Sequence, residues 1–293
     1  MIGLYYDKFT ILGGDLRNLA LAEHLRADGK MAAVYGFEKQ GARSLPLSMP
    51  LAQMLNDAEV IVGATPCCSS PGILNAPFHK GQLEAETVLP MLRAGQIFFA
   101  GRISKAFAEQ VEAQGVKVFD ILEREEMAVL NAIPTAEGVI QLAFERMKIT
   151  LHSANALVLG YGRIGKILAK MLQGIGAKVH VSARKPSDIA LLRSYGHEFV
   201  PYDALERKLG QMDVIFNTVP QIVLDRSNLR FVHKQCVLID MASRPFGIDF
   251  NASKDEKLEV VWAPSLPGKV APVTAARYMQ ETIYNILQEQ EGM

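Results

Sequence analysis

The stretch that decides the fold is ALVLGYGRIGKILAKMLQGIGAKVHV, residues 156–181. It predicts a buried strand, a tight turn, an amphipathic helix and a second buried strand. The turn has the spacing G-x-G-x-x-G, which is typical of a dinucleotide site because the glycines let a pyrophosphate approach the helix N-terminus. A glycine-rich turn without a ligand is the alternative. The residues expected to contact the cofactor here are Gly160, Tyr161, Gly162, Arg163, Ile164 and Gly165.

The residues after the second strand bear on which dinucleotide binds. An NAD site usually has an acidic residue there, which binds the 2′-hydroxyl of the ribose. Here the chain has Ser182, Arg184 and Lys185, and the first acid is Asp188. A hydroxyl and two cations suit a 2′-phosphate, so the pattern favours NADP, with NAD as the alternative cofactor. The two cations are otherwise an ordinary solvated turn.

Length and composition narrow the class of protein. The chain has 293 residues, 49% of them hydrophobic, which predicts two domains with substantial cores. Lys plus Arg and Asp plus Glu both number 31, and this balance argues against nucleic acid or an anionic membrane as partner. No apolar run reaches membrane-spanning length, and the three cysteines form neither a disulfide framework nor a zinc spacing. We expect a cytoplasmic protein that binds no metal.

The alternation of strands and helices predicts an α/β fold with two Rossmann-like domains, each a doubly wound parallel sheet, and a cleft between them. We expect five strands in the first sheet and six in the second. The predicted parts are an N-terminal Rossmann-like (flavodoxin-like) substrate domain at 1–130, a bridging helix at 131–152, an NAD(P)-binding Rossmann domain at 153–272 and a C-terminal helix at 273–293 that packs back on the first domain.

Two local patterns refine this division. A short helix over Glu123–Asn131 is expected to end before a new helix begins with Pro134 in its first turn. The first domain lacks a full glycine fingerprint, because Gly13 and Gly14 have no third glycine on the following helix. We therefore assign that domain no nucleotide.

Ligands in such sheets bind beyond the carboxyl ends of the strands. Three strands of the second domain lead into loops rich in small residues, hydroxyls and prolines. We expect these loops to contact the nicotinamide end of the cofactor through Asn217, Thr218, Val219, Pro220, Ala242, Ser243 and Ser265. Ordinary turns favour the same residue types and are the alternative. Arg244 is a candidate for binding a substrate carboxylate, because its guanidinium can bind bidentately; a surface ion pair is the other interpretation.

Five motifs together resemble a known family. They are GGDLRN (13–18), EREEMAVLNAIPTAEG (123–138), LGYGRIG (159–165), DMASRPFGIDF (240–250) and PSLPGKVAP (264–272). Their order and spacing are similar to those of the family of the dipicolinate synthase A subunit over nearly the whole chain. The segment Thr65–Gly72, with its adjacent cysteines Cys67 and Cys68, departs from the family pattern, so we assign it no substrate role.

The resemblance implies NAD(P)-linked oxidation of a dihydrodipicolinate ring to pyridine-2,6-dicarboxylate during sporulation. It also implies a partner, the flavoprotein-like B subunit of dipicolinate synthase, and the mother-cell cytoplasm of a spore former. A small dicarboxylate substrate requires cations, for which Arg17, Arg124 and Arg244 are the candidates. Glu137 is the candidate base, although an acid near a helix N-terminus also simply favours the helix dipole.

Two other functions fit the same residues. The first is another NAD(P)-dependent dehydrogenase of the alanine dehydrogenase or 2-hydroxy-acid type. The hydroxy-acid version usually needs a catalytic histidine in the second domain, and His233 precedes a strand rather than standing in a catalytic loop. The second is a non-catalytic subunit that binds NADP while its partner performs the chemistry. A homodimer is compatible with all three.

Overall fold

The computed structural model describes residues 5–40 and 49–292. The chain divides into two compact units. Unit 1 comprises Met1–Leu130 and Ala271–Met293, and unit 2 comprises Asn131–Val270. Each unit is built around a parallel sheet, and the predicted α/β fold of two Rossmann-like domains is confirmed.

Unit 1 has five parallel strands in its main sheet, in the order β2-β1-β3-β7-β8, and a second, antiparallel sheet of β4, β5 and β6. Its strands are β1 (Lys8–Leu12), β2 (Met31–Tyr35), β3 (Val60–Val62), β4 (Cys68–Ser70), β5 (Ile73–Leu74), β6 (Leu83–Glu84), β7 (Ile97–Ala100) and β8 (Lys117–Asp120). The small sheet begins where the sequence indicates only a loop, at 65–72, because its two-residue and three-residue strands are too short to show a period.

Unit 2 has a six-stranded parallel sheet in the order β11-β10-β9-β12-β13-β14. Its strands are β9 (Asn155–Leu159), β10 (Lys178–Ser182), β11 (Glu198–Phe199), β12 (Val214–Asn217), β13 (Val237–Asp240) and β14 (Val260–Trp262). Successive residues of β9 point to opposite faces: Ala156 and Val158 belong to one apolar cluster, Leu157 and Leu159 to the other. A parallel sheet covered on both faces needs this continuous apolar run.

Helices cover both faces of each sheet. They are α1 (Leu16–Ala27), α2 (Leu51–Asp57), α3 (Ala85–Val88), α4 (Lys105–Glu112), α5 (Glu125–Arg146), α6 (Arg163–Ile175), α7 (Pro186–Ser194), α8 (Glu206–Leu209), α9 (Arg226–Leu229), α10 (Phe250–Asp255), α11 (Leu266–Val270) and α12 (Pro272–Glu291). Helix α12 belongs to unit 1, where Met279 and Ile283 join the apolar cluster that contains Leu21 and Leu25 of α1.

Helix α5 differs from the sequence prediction. It is one helix of 22 residues with Pro134 inside it, and no new helix begins there. A proline inside a helix removes one backbone hydrogen bond, and packing must offset this cost. Here Ala136, Val139 and Ala143 are fully buried in the apolar cluster of unit 2. Gly138 adds to this packing, because a Cβ there would lie only 3.2 Å from Leu266.

The same helix bears on the membrane question. Within the described ranges, α5 is long and apolar enough to span a membrane by length and composition, and 44% of its most apolar window is buried inside the protein. The sequence predicts no such segment, because no uninterrupted apolar run is that long. The helix is longer than any of the apolar runs in its sequence, because Thr135, Glu137 and Gln141 interrupt the apolar residues without ending the helix. Such a helix is weak evidence for a membrane, since core helices pass the same test.

Candidate functional site

The turn between β9 and α6 explains its three glycines. Gly160 has φ +94°, and a Cβ on it would lie 2.3 Å from the Thr218 hydroxyl oxygen. A Cβ on Gly165 would lie 2.2 Å from the Gly160 carbonyl oxygen, so Gly165 lets the helix pack closely on the turn. A Cβ on Gly162 would meet nothing within 4 Å. Two of the glycines therefore serve internal packing, while Gly162 faces open space.

Gly162 is also the N-cap residue of α6, and having no side chain it cannot cap the helix. The first amides of a helix lack partners within the helix and attract an anion through hydrogen bonding and the helix dipole. Open space beside such amides fits a pyrophosphate. The turn of residues 160–165 is therefore suited to the phosphates of a dinucleotide.

The region after β10 fits the adenosine end only in part. The Ser182 side chain is fully buried, and its hydroxyl donates to the Val200 carbonyl at 2.8 Å. The Ser182 hydroxyl is thus bonded inside the core rather than presented to a 2′-phosphate. Arg184 and Lys185 are exposed, and they immediately precede α7.

A cavity of about 250 Å³ adjoins Arg184. Sequence reasoning missed most of its lining, which comes from three separate stretches: Arg184, Tyr202, Leu205, Val219, Gln221, Ile222 and Val223. Burial raises the pKa of Tyr202, and the charge of Arg184 opposes that rise. Arg184 and Tyr202 both line this cavity, which is open to a nucleoside.

Two neighbouring strands end in a buried polar pair. Asn217 and Asp240 are both fully buried and face each other in register. The Asn217 amide donates to Asp240 and to the Val219 carbonyl, and its oxygen accepts from the Val219 amide. All of these bonds stay within the protein. The Asn217 side chain is thus not offered to a ribose as expected; it shapes the loop that follows β12.

Asp240 was missed by the sequence reasoning. Its carboxylate accepts four hydrogen bonds, from the Asn217 amide and from the backbone amides of Ala242, Gly247 and Ile248. A buried carboxylate is tolerated when it is fully hydrogen-bonded, as here. Asp240 therefore holds together the loops after β12 and β13. The aspartate at a strand end was the signal available in the sequence.

The loop held by Asp240 presents exposed side chains. Ser243 and Arg244 are exposed, and the Arg244 guanidinium lies over the Phe246 ring at 5.7 Å. Ala242 is buried, and its carbonyl accepts from the Trp262 indole at 3.3 Å. In the next loop Ser265 is exposed with φ +56°.

Further along the same edge, the loop after β12 presents three of the expected residues. The Thr218 hydroxyl donates to the Leu159 carbonyl at 2.9 Å. Val219 lines the cavity beside Arg184, and Pro220 is exposed.

Unit 1 has a polar group at its own sheet edge. Arg17 is only 6% exposed, and its Nε and Nη2 atoms donate to Asp15, with Nη2 also reaching the Thr65 carbonyl at 2.8 Å. Asn18 is fully buried and donates to the Gly63 carbonyl. Within the described residues, the Asn18 oxygen and the Thr65 hydroxyl are buried without hydrogen-bond partners. The carboxyl ends of the unit 1 strands thus carry buried polar groups, among them the guanidinium of Arg17.

The other predicted residues lie elsewhere. Arg124 forms ion pairs with Glu126 and Glu289 in unit 1, and the bond to Glu289 raises the pKa of Arg124. Its guanidinium is thus already engaged. Glu137 is exposed in the middle of α5, so the helix dipole does not explain its position.

The adjacent thiols of unit 1 differ from each other. Cys67 is buried, and the pKa of its thiol is raised, first by its hydrogen bond to Cys68 and then by burial. That hydrogen bond lowers the pKa of Cys68 to about 7. Over residues 5–40 and 49–292, no three His, Cys, Asp or Glu side chains form a group that could hold a metal ion.

Two known families match successive parts of the chain. Residues 8–122 match the family described as the N-terminal domain of the dipicolinate synthase A subunit, and residues 134–244 match D-isomer specific 2-hydroxyacid dehydrogenase, NAD binding domain. The chain is 30% identical over 291 residues to the A subunit of dipicolinate synthase from Bacillus subtilis (strain 168), covering 96% of each protein.

Solved structures extend the likeness to three dimensions. The crystal structure of the dipicolinate synthase A subunit from Bacillus halodurans is similar with a TM-score of 0.84 and 26% identity, covering 97% of this chain and 99% of that one. The A chain of dipicolinate synthase from Bacillus subtilis gives 0.82 and 27%, covering 97% and 96%. With such identity over nearly its whole length, the chain belongs to the family of the dipicolinate synthase A subunit and carries a nicotinamide-dinucleotide domain of the 2-hydroxyacid dehydrogenase type.

Proposed function

We propose that this chain is the oxidoreductase subunit of a dipicolinate synthase. It oxidises dihydrodipicolinate to pyridine-2,6-dicarboxylate, with NADP as the hydride acceptor, and works with a flavoprotein-like B subunit. The observation that carries the proposal is the open turn at Gly162 in a chain of this family. An uncapped helix end beside open space supports dinucleotide binding, and the family supports the ring substrate.

The reaction removes one hydride and one proton from a six-membered ring and leaves an aromatic pyridine. When bound, the nicotinamide accepts the hydride, and the proton goes to a base on the protein. Unit 2 supplies the loops that position the nicotinamide, through Thr218, Ser243 and Ser265 in our proposal. Glu137 remains our candidate for the base.

The substrate carries two carboxylates, and arginines are suited to hold them because the guanidinium fork matches a carboxylate. We rank Arg17 and Arg244 above Arg124. Arg124 already pairs with two glutamates, whereas Arg244 is exposed at the edge of the sheet and Arg17 has a nearly buried guanidinium. Asp15 and Thr65 hold the Nε and Nη2 atoms of Arg17, so a substrate carboxylate would approach Nη1.

NADP is preferred over NAD because two cations follow β10. Arg184 and Lys185 are exposed beside the cavity that includes Tyr202, and no carboxylate ends the strand. A 2′-phosphate gains from both charges, whereas a ribose hydroxyl would lack the usual acidic partner. The site of action in our proposal is the mother-cell cytoplasm of a spore former, and the chain alone is compatible with a homodimer.

The test is a nicotinamide-absorbance assay with dihydrodipicolinate, run on this chain alone and together with the B subunit. We expect NADPH to form at the rate at which pyridine-2,6-dicarboxylate appears, with a lower KM for NADP than for NAD. L-alanine and 2-hydroxy acids serve as competing substrates, and faster turnover of either would assign the chain to that dehydrogenase type. NADP binding without turnover in the complex would instead make this a non-catalytic subunit.

A further inference from the structure

An exposed aromatic residue lies at the carboxyl end of the outermost strand of the unit 2 sheet. Trp262 ends β14, the edge strand, and is 44% exposed. It is the single tryptophan of the chain. Its indole N–H donates to the Ala242 carbonyl at 3.3 Å, and this bond fixes the orientation of the ring. A large aromatic surface held in place but left open to solvent is typical of a recognition surface.

Phe246 supports this ring from the side. The Phe246 and Trp262 rings meet edge to face, with centroids 5.3 Å apart and planes at 81°. Phe250 packs in the same manner against Phe246, at 5.1 Å and 67°. These are favourable aromatic geometries, and they restrict the motion of all three rings.

The backbone at Phe246 is strained. Its φ is +71°, a region that a bulky side chain rarely adopts and that is stabilised only by surrounding structure. That structure is visible on both sides of the residue. The Phe246 amide donates to the Ser243 carbonyl, and the amides of Gly247 and Ile248 donate to the buried Asp240 carboxylate. The strained conformation of Phe246 costs free energy, and the surrounding hydrogen bonds offset this cost.

A cation completes the arrangement. The Arg244 guanidinium lies 5.7 Å from the centre of the Phe246 ring, and its side chain is exposed. Stacking over an aromatic ring orients a guanidinium while leaving its edge free for a bidentate contact with a carboxylate. An oriented cation next to a fixed aromatic face matches a ligand that is both planar and anionic.

We propose that Arg244, Phe246 and Trp262 form a binding site for a planar aromatic dicarboxylate. Trp262 stacks on the ring, Arg244 binds one carboxylate, and Phe246 positions both. This rests on the proposed function, whose product has this chemistry. The dihydro substrate contains sp³ carbons and is less flat, so the site favours the aromatic product and lets it compete with substrate.

The experiment uses Trp262 as its own reporter. Pyridine-2,6-dicarboxylate is titrated into the full chain without cofactor, and tryptophan emission is followed with excitation outside the tyrosine band. We expect saturable quenching. Benzene-1,3-dicarboxylate, which is planar, should also saturate, whereas cyclohexane-1,3-dicarboxylate should bind at least about tenfold more weakly because it cannot stack.

Variants separate the contributions. Arg244→Leu should raise the Kd for pyridine-2,6-dicarboxylate roughly 20-fold, since hydrogen bonds between charged groups contribute most to such contacts. Trp262→Leu, followed by calorimetry, should raise it roughly fivefold, and Trp262→Phe should restore most of the affinity. Arg230→Leu is the matched control, because Arg230 also lies over an aromatic ring in unit 2, that of Phe231, and should leave the Kd unchanged.

The outcomes distinguish this site from the proposed reaction, because binding needs no turnover. Equal affinity for the planar and saturated dicarboxylates, or an unchanged Kd in Arg244→Leu, would overturn the site. So would a Trp262 emission that shifts with protein concentration while sedimentation shows a dimer, since a second copy would then cover the ring. Saturable, Arg244-dependent quenching in a chain that fails to oxidise dihydrodipicolinate would leave the site standing and reject the proposed reaction.

Discussion

The sheets of the two units begin with the same succession of strand, turn, helix and parallel strand, but the two first turns differ. In unit 1 the first strand lies between the second and third strands of that unit, and in unit 2 it lies between the second and fourth; in each unit it leads through a glycine into a helix. Counted from the strand end, Gly13 corresponds to Gly160, and the N-cap residue Asp15 corresponds to Gly162. The fold alone therefore does not decide which unit receives a dinucleotide.

Single side chains account for the difference. In unit 1 the Asp15 carboxylate accepts from the Arg17 amide and places a negative charge at the helix end, where a phosphate would bind. Asn18, at the position of Gly165, donates to the Gly63 carbonyl and fills the turn. In unit 2 both positions are glycine. One helix end is capped by its own chain, and the other is left open for an anion.

The largest expected effect comes from converting one turn into the other. Gly162→Asp would give α6 the cap that Asp15 gives α1. We expect the Kd for NADP to rise roughly 1,000-fold, because like charges placed together cost several kcal/mol. The stability of unit 2 should stay equal or rise by up to about 1 kcal/mol, since Asp is a good N-cap. Calorimetric NADP titration and urea unfolding measure the two quantities.

The control is Gly174→Ala. A Cβ on Gly174, like one on Gly162, would meet nothing within 4 Å, but Gly174 lies inside α6. It should keep NADP affinity and raise stability by up to about 1 kcal/mol. NADP binding retained by Gly162→Asp would contradict the assignment of the cofactor to this turn.

The second prediction concerns Asp240, which holds the loops after β12 and β13 in unit 2 and has no acidic counterpart in unit 1. In unit 2 the strand β13 ends in Asp240, whereas the corresponding β7 of unit 1 ends in apolar Ala100. Asp240→Asn replaces one acceptor oxygen by a donor, which leaves buried amides such as Gly247 and Ile248 without a partner. We expect unit 2 to lose about 3 kcal/mol of unfolding free energy, because buried unsatisfied donors are costly.

Asp249→Asn is the comparison variant. Asp249 caps α10 through the amides of Asn251 and Ala252, and Asn is an equally good cap. Its unfolding midpoint in urea should move little. If both variants unfold at the same urea concentration, Asp240 does not hold the loops together.

Much of this comparison was accessible from the sequence. The strands of the two parallel sheets were predictable because parallel strands covered on two faces have apolar sequences, as in IFFA at Ile97–Ala100. The open turn was predictable because glycine spacing reports backbone geometry directly. Arg244 lies in the loop after β13 and Trp262 at the end of β14, on the side of the sheet where ligands bind in such folds.

The remainder depends on tertiary contacts that spacing does not encode. Ser182 and Asn217 are polar residues at strand ends, and nothing local indicates that their side chains bond inward to Val200 and Asp240. The continuity of α5 through Pro134 likewise depends on packing by Val139 and Ala143, residues that lie beyond the local signal for a helix start.

The third prediction tests Arg17, the arginine that follows the first turn of unit 1. Arg17→Leu should raise KM for dihydrodipicolinate roughly 30- to 100-fold with the B subunit present, as expected for loss of a charge-assisted contact. Arg17→Lys should recover part of this loss, because it keeps the charge but not the fork. Arg124→Leu should change KM less than about threefold, since Glu126 and Glu289 already bind that guanidinium. An equal KM in all three variants would remove the carboxylate role from unit 1.

The fourth prediction concerns the choice between NADP and NAD by Arg184, which follows β10. Arg184→Asp should lower the preference for NADP over NAD roughly 20-fold, because a carboxylate repels the 2′-phosphate and can accept from a 2′-hydroxyl. Titrating both cofactors against the same preparation gives the ratio. Arg207→Asp makes the same change in net charge at another exposed position and should leave the ratio unaltered. Equal affinity of the unmodified chain for NAD and NADP would show that Arg184 does not select the cofactor.

The smallest expected effect compares the thiols of the two units. Cys68 in unit 1 has a pKa lowered to about 7 by the hydrogen bond from Cys67, whereas burial raises the pKa of Cys236 in unit 2. The thiolate is the reactive form, so alkylation of Cys68 by iodoacetamide should rise with pH and reach half its maximum near pH 7. At neutral pH it should exceed that of an ordinary thiol by about tenfold. Peptide mapping should find Cys67 and Cys236 unmodified in the folded chain. In Cys67→Ala the midpoint for Cys68 should move upward, because the hydrogen bond that lowers the pKa of Cys68 is removed; a midpoint unchanged by this substitution would mean that the neighbouring thiol does not set the reactivity.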